Sequence, residues 1–524
     1  MPQQVDDPNR LMVPRWRPFR IAASMGLLDA SQPGLAAGPQ VAPEEFEKLR
    51  VAWERHRSLV HASELVDAAL LVRRPEVAED AAAFLVHKSP NATSREVAAA
   101  LLLISQPASV VQEPRALLPR ERHERIALLK RHLRMYPRDA MSWVDLARDY
   151  SVLGQNDPAA KAIRTALALA PDNRFVLRAA ARFFLHAKDP EQARAILRKT
   201  PRTREDPWLL AAEIVSAQVN GRSSGWVTHA RKMIDSWGYS PRHISELAGA
   251  LGTLEYEHGN RRGVRRMFSR ALEEPTENTV AQAGWISRRS GFVDIPDFSD
   301  IPRAYEAMAW EALALGRFAE AVSLSWKWLT DEPFATRPAM FGSSVASVAI
   351  GDYDEAIRFM KVAEVANPSH PRVKAQLIFC FASKGEIETA EQLLLELPDA
   401  IDAQPEIDEP HSWDVLVAAD RGLIAYRRGC IEEGRRFYQQ AIELATEHKL
   451  PEFRAAAMIY LFREERRANP GAEKELYENA AKGIEVFHPI LRPVYRALLE
   501  RAIPEAPGSG PVPAFRAAGP LPHG

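Results

Sequence analysis

His123-Glu124 opens the spacing of a helical zinc-hydrolase motif, in which two histidines one turn apart hold the metal and a glutamate acts as base. Ala127 stands where the second histidine is required, so that site does not form. His56 and His61 are five residues apart and share no ligand face. Gly508-Ser509-Gly510 lies in a Pro- and Gly-rich tail, not on the strand-to-helix elbow that exposes a nucleophilic serine. No glycine-rich loop ends in Lys-Ser or Lys-Thr, as a phosphate cradle needs. Cys380 and Cys430 are too few for a disulfide framework or a zinc ribbon, and they suit a reducing compartment. Asn91-Ala-Thr93 matches a glycosylation acceptor, which has no use in such a compartment. These residues predict no catalytic group, no metal site and no cofactor: the chain is not expected to be an enzyme.

What remains is a chain of 524 residues whose elements must serve some other purpose, and its length allows several domains or one extended array. The 68 basic and 69 acidic side chains nearly cancel, so no global field points to nucleic acid or an anionic membrane. The longest apolar run, residues 97–104, is far short of the roughly 20 residues that span a bilayer. Arg15, Arg17 and Arg20 before Ile21 imitate a signal peptide, but the apolar part is weak and Asp29 interrupts it. Residues 1–42 are expected to form a disordered cytoplasmic arm and residues 503–524 a disordered tail, on their Pro and Gly content.

Between these ends the sequence repeats itself. Trp143, Leu146, Ala147 and Tyr150 share one helix face, Gly154 ends that helix, and Asp157-Pro158 starts a second with Ala159, Ile163 and Ala166 inward. Ala159 and Ala193 are 34 residues apart; Gly316, Gly351 and Gly385 follow at intervals of 35 and 34. Phe318-Ala-Glu-Ala-Val322 and Tyr353-Asp-Glu-Ala-Ile357 are near copies of one helix opening. Further units carry Gly252, Phe268 and Ala271, then Gly422, Tyr438 and Ala441. Six or seven units cover most of residues 106–448.

This pattern resembles the tetratricopeptide repeat, a helical hairpin of 34 residues. The resemblance implies an all-α, right-handed α-solenoid in two segments, because a hairpin cannot bury its apolar face alone and must stack on neighbours. The expected division is a helical segment over 43–275 with repeats from about 106, a joint over 276–301 and a second segment over 302–502 ending in a helical cap. Residues 43–104 read as helices without consensus spacing. In similar proteins the first helix of each hairpin lines the concave groove. That implies a partner-binding groove with Arg148, Arg178 and Arg182 in the first segment and Trp310, Phe341, Val345 and Phe379 in the second. The last set, equal in phase, is expected to form a partly exposed apolar ladder, with residues 504–524 as an internal occupant. The clamp by which chaperone adaptors hold a C-terminal carboxylate has no counterpart, since its positions carry Val144, Arg148 and Ala179.

The function this implies is a non-catalytic cytoplasmic adaptor or scaffold that binds a protein or peptide partner in its groove, with no membrane partner. The alternative is a regulator or assembly factor acting on RNA or a ribonucleoprotein. It would use the basic run from Arg115 to Arg138, where eight basic residues meet only Glu121 and Glu124. Tyr136 is the one aromatic residue near enough to stack on a base.

Overall fold

The computed structural model describes residues 10–19, 43–72, 77–87, 119–236, 238–403, 410–469 and 474–502, with five more between 92 and 100. Helices and their connections make up nearly all of these, with no strand among the described residues. The chain divides into two compact units, Asn9–Ala304 with Lys327–Phe334, and Tyr305–Trp326 with Ala335 onward.

The first unit opens with α1 (Pro43–Arg55), α2 (Leu59–Val72) and α3 (Glu79–His87), which share a small core around Trp53, Leu65 and Leu85. After α4 (Pro119–Met135) come the hairpins α5 (Ala140–Val152) with α6 (Asn156–Leu169) and α7 (Arg174–His186) with α8 (Pro190–Lys199). The next are α9 (Pro207–Val219) with α10 (Val227–Asp235), and α11 (Pro241–Glu257) with α12 (Arg261–Ala271), followed by α13 (Glu277–Ser290). Side chains start several of these helices by accepting their first free amides: Asp139 for α5, Asn173 for α7, Asp189 for α8 and Asp206 for α9. Helix α6 begins at Asn156, so Asp157 lies inside its first turn and is not its cap.

The second unit contains α14 (Tyr305–Ala314), α15 (Phe318–Asp331), α16 (Thr336–Ser344), α17 (Tyr353–Ala366), α18 (Pro371–Lys384) and α19 (Ile387–Asp402). It continues through α20 (Pro410–Arg427), α21 (Ile431–Glu447), α22 (Pro451–Ala468), α23 (Lys474–Gly483) and α24 (Arg492–Arg501). The last residues of α15, from Lys327, pack with the first unit.

Three hairpins close where a glycine on the first helix faces an aromatic ring on the second. A Cβ on Gly252 would lie 2.6 Å from the Phe268 ring, one on Gly342 2.6 Å from Phe359, and one on Gly422 2.8 Å from Tyr438. Glycine is the residue that lets each ring reach the backbone. The interval from glycine to ring is 16 residues in the first and third pairs and 17 in the second. The extra residue is absorbed after α16 by a π-turn over Val345–Ile350, where the Gly351 amide donates to the Ala346 carbonyl five residues back at 2.8 Å. Gly351 then ends the helix in the left-handed region, at φ 86°.

Two expectations are corrected. The joint expected over 276–301 is shorter: α13 is a regular helix through Ser290, with Thr276 as its cap, and only residues 291–304 lack helix. The arm expected over 1–42 is not unstructured where it is described: residues 10–18 run through the first unit without helix or strand, and Arg10, Met12 and residues 14–17 are buried. The tail over 503–524 lies outside the described residues, as does most of 88–118.

Gly342→Ala should destabilise the chain by about 1–3 kcal/mol, because the Phe359 ring it would strike is itself held by Trp326, stacked at 4.0 Å. Ala356→Leu should do so to a similar extent, since Ala356 is fully buried between helices. Denaturant unfolding of both variants checks this, and unchanged midpoints would contradict the close approach.

Candidate peptide-binding groove

Helices α5, α7, α9, α11 and α13 pack one on the next in the first unit, and residues 10–19 touch α5, α7, α11 and α13. Pro14 and Pro18 keep this segment from helix, and each biases the residue before it toward extended backbone. An extended segment has no internal ladder, so its backbone groups need partners from elsewhere once buried. Groove side chains supply them. The Gln282 amide donates to the Arg10 carbonyl at 2.9 Å, Asn278 to Val13 at 3.1 Å, and Arg148 Nε to Trp16 at 3.0 Å. Asp145 accepts the Phe19 amide at 2.9 Å.

The side chains of the segment are held as closely. Trp16 is 1% exposed, its ring edge-on to Phe183 at 6.2 Å and tilted against Phe334 at 5.4 Å. Phe19 packs edge-on to Phe175 at 5.5 Å. Met12 crosses α11 at Gly249, where a Cβ would come within 2.5 Å of its sulfur. Arg10 donates to Asn278 at 3.1 Å and also to Gln282.

Three carboxylates meet the two arginines that flank Trp16. Arg17 Nε lies 2.9 and 2.8 Å from the two Asp331 oxygens, and its Nη1 lies 2.6 Å from Glu277. Arg15 pairs with Glu332, and Arg303 approaches Asp331 at 3.4 Å. Three guanidinium groups thus balance three acids in a place removed from water, which buried charge requires. Burial by itself would lower the pKa of Arg17, but Asp331 and Glu277 outweigh it and raise it. Burial by itself would raise Asp331, and Arg17 turns the shift downward. Arg148 is pushed down to about 9 by burial and by Arg122, and remains charged at neutral pH.

Of the groove residues expected from the sequence, Arg148 does meet an extended segment. Arg178 is turned to Glu246 at 2.8 Å and to the Trp208 carbonyl, with its guanidinium 4.6 Å from the Trp208 ring. Arg182 lies 4.7 Å from the Phe334 ring. All three arginines are buried.

The expected ladder of the second unit is corrected. Trp310, Phe341, Val345 and Phe379 are each 3% exposed or less, and so form core, not an open patch. Trp310 packs on Phe341 at 4.8 Å, and Phe379 on Tyr460 at 5.3 Å. Helix α24 covers this region, packing on the π-turn, α14 and α22. Arg501 at its end donates to the Val348 carbonyl at 2.6 Å and to that of Ala349, satisfying acceptors at the end of the π-turn. The proposed occupant 504–524 lies outside the described residues.

The basic run is partly neutralised. Arg122 and Arg125 turn inward to Asp149 at 2.7 and 2.9 Å, while Lys130, Arg131, Arg134 and Arg138 remain exposed. Cys380 donates no thiolate chemistry: burial pushes its thiol up to about 12. Among the described residues, no three His, Cys, Asp or Glu side chains are grouped to hold a metal ion. No described helix is long and apolar enough to cross a membrane.

Glu277, Asp331 and Glu332 were not expected as site residues. Glu277 opens α13, where an acidic residue ordinarily complements the helix dipole, while Asp331 ends α15 and Glu332 follows it, with no local pattern to mark them. The signal was in the other half of the contact: Pro14-Arg-Trp-Arg-Pro-Phe19 has two aromatic residues in six, too many for an arm that never packs.

The tetratricopeptide repeat family model matches residues 348–409, which run from the end of the π-turn through α17, α18 and α19. The chain carries tetratricopeptide repeats. No curated protein matches the sequence. Among solved structures, this repeat chain is similar to the APC/C hetero-tetramer Cut9–Hcn1, at 12% identity over 88% of this chain and 93% of that one, with a TM-score of 0.35. It is also similar to the human IFIT1 dimer with PPP-AAAA, at 13% identity over 89% and 96% of the chains, with a TM-score of 0.31. At these scores the likeness says nothing of function.

His186 borders the groove, 5.3 Å from the Phe334 ring, and its pKa is pushed down to about 3 by burial and by Arg182 and Lys188. It stays neutral in the fold while the unfolded chain protonates it below about 6.5, so its contribution is whole above that value and is lost as pH falls. Asp145, raised to about 6 by burial, acts in the opposite sense, so the difference from a His186→Gln variant isolates the histidine. Between pH 6.5 and 5 the native chain should lose about 1.6 kcal/mol more in total than the variant. Parallel urea titrations check it, and identical pH dependences would contradict a buried neutral His186.

Proposed function

We propose that the chain is a non-catalytic adaptor or scaffold whose first-unit groove binds an extended segment of a partner protein. The observation that carries this reading is the hold on residues 10–19: three groove side chains donate to backbone carbonyls of an extended segment, at Arg10, Val13 and Trp16. Recognition through main-chain carbonyls suits any extended peptide, and the pockets around its side chains supply selectivity. The tetratricopeptide repeats support the reading, since stacked hairpins offer a long continuous surface. Two free cysteines, one buried and one exposed, support a cytoplasmic setting.

The exposed Lys130, Arg131, Arg134 and Arg138 on and after α4 favour a second reading, an RNA or ribonucleoprotein contact. Cross-linking mass spectrometry of the tagged chain with co-purified material separates the two. The adaptor reading expects protein cross-links on α5, α7, α11 and α13 that survive nuclease and 0.5 M salt, a condition that weakens phosphate contacts steeply. Cross-links confined to α4 and lost with Arg131→Glu/Arg134→Glu would overturn it in favour of RNA.

A further inference from the structure

Residues 10–19 are held as a ligand is held. Among the described residues, the bonds that tie their backbone to the groove run to side chains, Asp145, Arg148, Asn278 and Gln282, and the one backbone–backbone bond, from the Val13 amide to the Leu11 carbonyl at 2.9 Å, lies within the segment. Helices α5, α7, α11 and α13 complete their own hydrogen-bond ladders without this segment. Its chemistry is also complementary to the surface it covers. Arg15 and Arg17 meet Glu332, Asp331 and Glu277, and Trp16 between them enters an aromatic slot made by Phe183 and Phe334. A guanidinium bonded through both edges to two carboxylates is a geometry lysine cannot reproduce. The groove is thereby selective for more than an apolar strand. Gly249 deepens this selectivity by leaving room for a long flexible side chain four residues before the tryptophan.

We propose that this groove is a recognition site for extended protein segments carrying an arginine–aromatic–arginine triplet, and that residues 10–19 occupy it in cis as an exchangeable stand-in for such a partner. This rests on the adaptor reading and names the chemistry of the partner. A partner segment competes with the tethered one, whose high effective concentration sets the affinity the partner must exceed. Binding is therefore latched: partners with one arginine, or with lysines, do not displace the chain's own segment.

The test uses the full chain and a fluorescein-labelled peptide of residues 9–20, Asn-Arg-Leu-Met-Val-Pro-Arg-Trp-Arg-Pro-Phe-Arg. An Arg15→Ala/Arg17→Ala chain, its own segment released, should bind this peptide saturably and at least about tenfold tighter than the native chain does, by anisotropy. Replacing both central arginines of the peptide by lysine should weaken binding to that variant at least about tenfold. Hydrogen exchange of the native chain supplies a readout independent of any substitution: amides of residues 11–19 should open while α5, α7 and α13 stay protected. A variant without a cooperative unfolding transition, or exchange of the segment together with those helices, would overturn the proposal by making the segment core. Equal binding by the lysine peptide, or by the native chain, would overturn it too. If the peptide behaves as expected while partner cross-links avoid the groove, the adaptor reading fails alone. A partner cross-linked in the groove through a segment without arginine defeats only the present proposal.

Discussion

Arg17 sits 1% exposed between Glu277 and Asp331, residues 260 and 314 positions away in the chain. Burial by itself would favour the neutral carboxyl of Asp331, and a second acid beside it adds like charge. The guanidinium offsets this, and in doing so it links the start of α13, the end of α15 and the segment of residues 10–19. Trp16, Arg15 and the carbonyls on either side are then aligned on the remaining groove positions. The rest of the first unit can be understood as a scaffold that holds these acids at the right separation: α13 is set by its Thr276 cap, and Asp331 is further held by Arg303.

The helical hairpins were legible in the sequence because the signal was periodic and local. Gly252 with Phe268, and Gly422 with Tyr438, announce a hairpin within fewer than twenty residues, and the close approach of backbone to ring explains why those residue types recur. The groove was much less legible. Composition made residues 1–42 look unstructured, yet proline in that region excludes helix without excluding burial, and the partners that bury Arg15 and Arg17 lie hundreds of residues away. No local pattern reports a contact of that range. The joint was overdrawn for a similar reason: the Pro- and Asp-rich run after Gly291 coloured the reading of α13, whose own sequence is compatible with helix.

The ladder of Trp310, Val345 and Phe379 shows what equal phase does and does not imply. Residues 34 or 35 apart do face the same way on successive first helices, as the periodicity requires. What lies opposite them is set by tertiary structure, and here it includes α24 and the Tyr460 ring. Arg148 and Val345 illustrate the contrast within one chain: both were placed on a groove by phase, and one meets an extended segment while the other is sealed within its unit.

The π-turn after α16 carries a consequence for how such an array tolerates change in length. Each residue added to an α-helix rotates everything beyond it by about 100°, which would swing the next hairpin off its stacking face. By closing one wider ring at Val345–Ile350, the chain takes up an added residue at the end of the first helix, next to the left-handed Gly351, and resumes with Phe359 still over Gly342. The repeat length can therefore drift from 34 to 35 without a shift in angular phase, and an insertion becomes a local thickening of one turn instead of a twist passed to every later helix.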